Sequence, residues 1–115
     1  MQIKVICPGE YELDIYRDNF FRDSVILEQV YCWFNSGSGK ECPEFLADRT
    51  MRSLSVNDFV GIDDNYYQCC GDGWRWVSKE YVGEVCKEVK KRLIPKSAWR
   101  ILSELESKKT FNKNI

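Results

Sequence analysis

Three short runs of aromatic and β-branched residues, Phe59 to Ile62, Tyr66 to Cys70 and Trp74 to Val77, follow one another with only turn residues between them. The separators are Asp63-Asp64-Asn65 and Gly71-Asp72-Gly73, and Asn, Asp and Gly accept the positive φ that tight hairpins require. The stretch predicts an antiparallel meander of three strands, a small curled sheet or SH3-like half barrel.

A chain of 115 residues with 43% hydrophobic and 30% charged residues suffices for one domain with a single core. The 16 aromatic side chains are more than so small a core needs, so some are expected at a groove or partner surface. The N-terminal apolar run is brief and broken by Pro8, unlike a signal peptide, and no apolar run approaches membrane-spanning length. These features predict a cytoplasmic protein with reduced cysteines. The six cysteines (Cys7, Cys32, Cys42, Cys69, Cys70 and Cys86) include no Cys-x-x-Cys pair, and the chain has no histidine. Neither metal nor cofactor is therefore expected. Residues 1–75 hold 13 acids and 7 bases, whereas 76–115 hold 5 acids and 10 bases. That polarity could orient a charged partner, but the plainer reading, a solvated basic helix at one end and acidic loops at the other, is the one expected.

Outside the meander, Ile3 to Cys7 reads as a strand ended by Pro8-Gly9, and Tyr11, Leu13 and Ile15 alternate as a second strand with one wet face. Asp23 or Ser24 would cap a helix to about Phe34, with Leu27, Val30, Tyr31 and Phe34 as its buried stripe. A turn-rich Asn35 to Gly39 segment follows, then Pro43 at the first position of a short helix over Glu44 to Asp48. The clearest helix runs from about Lys79 to Leu93 with Val82, Val85, Cys86, Val89 and Leu93 on one stripe. Pro95 ends it, and Ser97 would cap a last helix on Ala98, Ile101, Leu102 and Leu105 before a frayed tail at 108–115. The fold expected is a single α+β domain: a small antiparallel meander packed against two to four helices.

Arg52-Ser53-Leu54-Ser55-Val56-Asn57-Asp58-Phe59-Val60, followed by an acidic turn, a tyrosine-containing strand and Gly73-Trp74, resembles the YodL-like domain. Asn57 stands where that pattern usually has glycine, a mild departure because Asn is the next-best residue at a left-handed position. The resemblance covers about a quarter of the chain. It implies the setting of bacterial plasmids, phages and other mobile elements, sometimes near antirestriction proteins, and it implies no catalytic residues.

Several residues could carry recognition. Asp58 is expected to cap the turn into the strand, while Arg52 with Ser53 and Ser55 could form an anion-binding corner. Ser36, Gly37 and Ser38 lie in a loop that could offer backbone amides to a partner; with Lys40 it lacks the spacing and the strand-loop-helix setting of a phosphate loop. Trp74 and Trp76 alternate with Arg75, so both indoles share one face of the strand. Two such tryptophans are core in the first instance; otherwise one of them, with Tyr66 or Tyr67, makes an exposed platform. The basic cluster Lys87, Lys90, Lys91, Arg92 and Lys96 is diluted by Glu84 and Glu88, and a pI of 5.5 argues against a dedicated nucleic-acid binder. Without histidine, general acid–base work would fall to Asp, Glu, Cys, Lys or Tyr, and Cys69 and Cys70 would face opposite ways on one strand. The function expected is a non-enzymatic accessory protein of a mobile element that binds a protein partner, in its sharpest form a host-defence inhibitor. The alternatives are a nucleic-acid-binding module using the aromatic face and basic residues, and a small enzyme with Cys/Asp chemistry.

Overall fold

The computed structural model describes residues 1–18 and 21–93. In chain order the elements are β1 (Gln2–Cys7), β2 (Tyr11–Tyr16), α1 (Asp23–Trp33), α2 (Pro43–Ala47), β3 (Phe59–Ile62), β4 (Asn65–Cys70), β5 (Gly73–Val77) and α3 (Lys79–Leu93). The five strands form one open antiparallel sheet in the order β2-β1-β3-β4-β5. The α+β meander legible in the sequence is present, with β1 and β2 extending it. The last helix expected after Pro95 and the tail at 108–115 lie outside the described residues. So do the side chains of Lys90, Lys91, Arg92, Leu93 and Lys96.

Because strand side chains alternate between faces, the registers assign each residue to one layer. Ile3, Val5 and Cys7 of β1, Ile15 of β2 and Val60 and Ile62 of β3 pack against Ile26, Leu27, Val30 and Phe34 from α1. Phe45 of α2 joins them, its ring 5.9 Å from that of Phe34 in an edge-to-face arrangement. On the opposite face, Ile6, Phe59 and Val77 form a smaller cluster with Val82 of α3, and Val85 and Cys86 pack alongside. The result is three layers, with α1 and α2 on one face of the sheet and α3 on the other. On the α3 face Lys4 lies 3.2 Å from Glu12 and 3.9 Å from Asp14, the wet face expected of β2.

Two details of α1 differ from the sequence reading. Arg22 holds the N-cap position with extended backbone and no side-chain cap. Asp23 opens the helix, and its carboxylate instead accepts the Tyr67 hydroxyl at 2.6 Å. The buried stripe is Ile26, Leu27, Val30 and Phe34, while Tyr31 is 37% exposed. The helical period serves both sets, and Ile26 turns toward the sheet. Among the described residues no helix is long and apolar enough to cross a membrane.

Candidate functional site

The segment entering β3 is a closed polar structure. Asp58 N–H donates to Ser55 O at 3.1 Å, which places Asn57 third in a turn at φ 77°, the left-handed value that a type II turn demands there. Asn57 N–H then donates to Cys69 O and Cys69 N–H to Asp58 O, both at 2.8 Å. Two residues thus oppose one, a β-bulge of the kind whose first residue is usually glycine. Asn57 fills it with a side chain that also accepts from Gln68 Nε2 at 3.3 Å.

The Asp58 side chain is 2% exposed and accepts the Ser55 N–H at 2.8 Å, so it does cap the turn. It also takes a two-pronged guanidinium contact from Arg52, Nη1 to Oδ2 at 2.6 Å and Nη2 to Oδ1 at 2.7 Å. Arg52 donates further to Ser53 O at 3.0 Å and Ser55 Oγ at 3.3 Å, and its Nε pairs with Glu10. The carboxylate of Asp58 holds the guanidinium protonated well above its ordinary range. The anion-binding corner expected at Arg52 is therefore filled by the chain's own acids. Tyr11 Oη donates to Arg52 O at 2.9 Å and ties the corner to the β1–β2 turn.

The Ser-Gly loop is also closed on itself. Glu41 accepts from Gly39 N–H at 2.7 Å, and Ser38 Oγ donates to Cys32 O at 2.6 Å. Ser53 Oγ accepts the Ser36 N–H at 2.8 Å. Ser36, Gly37 and Ser38 are exposed, but the amides of Ser36 and Gly39 already have acceptors.

The aromatic candidates separate by face. Tyr66 points to the α3 side, where its ring lies over Gly61: a Cβ added to that glycine would stand 3.0 Å from Tyr66 Cε1. Arg75 shares this face, donating from Nη2 to Gln68 Oε1 at 2.7 Å with its guanidinium carbon 6.0 Å from the Tyr81 ring centroid. Trp74 and Trp76 point to the α1 side, opposite Cys69 and Tyr67 in register. They are not an equivalent core pair. Trp74 packs partly buried against the main core, whereas Trp76 is 61% exposed. Its strand ends the sheet, so no second neighbour covers it among the described residues.

A groove of about 240 Å³ lies between α1 and the β4–β5 turn, lined by Glu28, Tyr31, Val56, Cys69 and Trp74. Glu28 also borders a wider depression of about 690 Å³ along the outer side of α1, with Val25 and Trp33. Tyr31 and Val56 were not legible as site residues. Tyr31 shares the helical stripe of Leu27 and differs only in lying at its rim, and Val56, 52% exposed, occupies a turn whose geometry depends on the bulge.

Three of the described cysteines are held as neutral thiols. Cys69 is buried on the α1 face and Cys70 is half-buried on the other, and burial pushes the Cys69 and Cys42 thiols up. Cys7 is pushed up to about 12, chiefly by burial. Each is thereby held as the weakly nucleophilic thiol. Among the described residues no buried side-chain nitrogen or oxygen lacks a hydrogen-bond partner, and no cluster of acids and cysteines is gathered in metal-binding form. No family model, curated protein or solved structure matches the chain.

Proposed function

We propose that this chain is a non-enzymatic interaction protein that holds a protein partner against the α1–β5 side of its sheet. The observation that carries this reading is Trp76, a large rigid aromatic 61% exposed on an edge strand whose neighbours are well anchored. Tryptophan is enriched among residues that dominate binding energy, because it covers much area at little cost in side-chain freedom. A groove of mixed polar and apolar lining, bounded by Glu28, Tyr31, Val56 and Trp74, opens on the same face of the sheet. The raised thiols and the absence of histidine support a binding role over catalysis. The setting is a bacterial plasmid or phage, and the partner a component of host defence; this part rests on the YodL-like resemblance of residues 52–76.

The test is affinity capture with the full chain from a bacterium that carries its gene, comparing the native protein with Trp76→Lys. A protein retained by the first and lost by the second is the expected result. Equal recovery by both would remove the α1–β5 side as the site. A parallel titration against single- and double-stranded nucleic acid at low and high salt addresses the competing module. Tight binding that collapses with salt would replace the protein-partner reading.

A further inference from the structure

The interaction reading leaves open how a partner engages this side, and the hydrogen-bond phase of the sheet narrows it. Residues of an antiparallel ladder exchange bonds alternately with one neighbour and then the other. The Asn57–Asp58 bulge assigns Cys69 to the β3 side, so Tyr66, Gln68 and Cys70 bond toward β5, where they face Val77, Arg75 and Gly73. Trp74 and Trp76 therefore direct both backbone N–H and C=O outward, along an edge that no described strand covers. Such groups are a ready template for another strand, and edges that must stay single are usually blunted. The opposite edge, β2, alternates acids on one face: Glu12 and Asp14 stand beside Lys4. β5, Gly-Trp-Arg-Trp-Val, has neither proline, lysine nor acid.

We propose that the outer edge of β5 receives an extended segment of the partner protein as an added strand, with an acidic side chain across from Arg75 and apolar side chains beside Trp74 and Trp76. This deepens the interaction reading above and rests on it. Charge selects the occupant. The position facing Arg75 in an added strand is a non-hydrogen-bonded one, where Cα atoms approach to about 4.5 Å and side chains meet closely. A second copy paired antiparallel over the length of β5 would bring Trp74 against Trp76 and Arg75 against Arg75, two like charges directly opposed. An acidic residue at that point instead meets a guanidinium already held in place by Gln68 and Tyr81. On the other face, the exposed Trp76 ring and the partly buried Trp74 offer apolar surface to the neighbours of that acid. Because strand side chains alternate, the pattern is apolar, acidic, apolar, and a slip of one residue presents each side chain to the wrong face.

The experiment titrates the isotope-labelled full chain with a short capped peptide of alternating valine and threonine whose central threonine is replaced by glutamate. The comparison peptide has the same composition with the glutamate exchanged with a neighbouring valine. The expected result is that the Trp74 and Trp76 amides shift and gain protection from hydrogen exchange, and that the exchanged peptide binds roughly tenfold more weakly. Arg75→Glu should reverse the preference, favouring a peptide centred on lysine. Equal binding of the two peptides, or binding that leaves the Trp74 and Trp76 amides unmoved, would overturn strand addition. So would protection of those amides in the free chain, since the edge would then be covered by another part of the chain or by a second copy. Should no peptide bind while Trp76→Lys still loses the captured protein, the interaction reading survives and strand addition falls.

Discussion

Arg52 and Arg75 lie in one continuous stretch of sequence and are used in opposite ways. Arg52 is enclosed by acceptors from Asp58, Glu10, Ser53 and Ser55, and its main partner is a carboxylate 2% exposed. Arg75 has a neutral amide and an aromatic ring for company and stands on the last strand of the sheet. The difference shows how one motif divides into a scaffold half and a surface half. Where buried carboxylate meets guanidinium, polar chemistry holds the backbone; where the ladder ends, it faces outward.

The sharpest way to break this contrast is to remove each arginine. Arg52→Ala leaves the buried Asp58 carboxylate with the Ser55 N–H alone, and because the Arg52 side chain is 38% exposed the loss should fall short of that of a fully buried pair, at about 2 kcal/mol. Urea unfolding should show that loss, and Arg52→Lys should recover only part of it, because an ammonium cannot reproduce the fork. Arg75→Ala should change stability by no more than about 0.5 kcal/mol, as for other surface positions. Equal losses for the two would mean that the corner and the edge are not distinct in kind.

The tryptophans sharpen the same division within β5. Trp74→Ala removes a ring packed partly against the main core and should cost about 2 kcal/mol. Trp76→Thr keeps a good strand former and removes mostly exposed surface, so unfolding should move by less than about 0.5 kcal/mol while partner capture is lost. The measurement is urea unfolding beside affinity capture. A Trp76 variant as destabilised as Trp74 would return both indoles to the core.

How much of this was legible follows from what each signal encodes. The three strands of the meander and α3 announce themselves through alternation, turn residues and helical period, which are local. Asn57 at the position of a usual glycine likewise pointed to a left-handed backbone, and it has one. Which of two same-face tryptophans is covered depends on where the sheet ends, and strand order is a tertiary fact. The fate of Arg52 depended on Glu10, some forty residues away, and on an Asp58 whose burial comes from the bulge. Asp23 looked like a cap because its alternative partner, Tyr67, approaches only across the packed layers.

The bulge supplies a smaller test. Asn57→Val forces a β-branched residue into φ 77° and should cost about 1–2 kcal/mol. Asn57→Gly should be nearly neutral, since the relief of strain offsets the weak bond from Gln68 and the greater freedom of the unfolded chain. If valine were accepted as readily as glycine, the turn would not be what positions Asp58 beneath Arg52.

The smallest expected effect comes from a second arginine–carboxylate pair, whose carboxylate is far less buried. Arg17 donates to both oxygens of Glu44 at 2.8 Å from Nη2 alone, whereas Arg52 uses Nη1 and Nη2 on Asp58; the two guanidinium side chains are similarly exposed, but Glu44 is 31% exposed where Asp58 is 2%. The Arg17 hydrogen bonds hold the Glu44 carboxyl below its ordinary value of 4.5. A carboxylate depressed in the folded state stabilises above its unfolded pKa, and that contribution disappears as pH falls through the lower folded value. The loss should therefore begin near pH 4.5 and run downward. Solvent screening limits it to under about 1 kcal/mol, and Glu44→Gln should lose that small contribution at neutral pH and flatten the curve below pH 4.5, where variant and native protein converge. A change at neutral pH as large as that of Arg52→Ala would show that the burial of its carboxylate is not what sets the Asp58 corner apart.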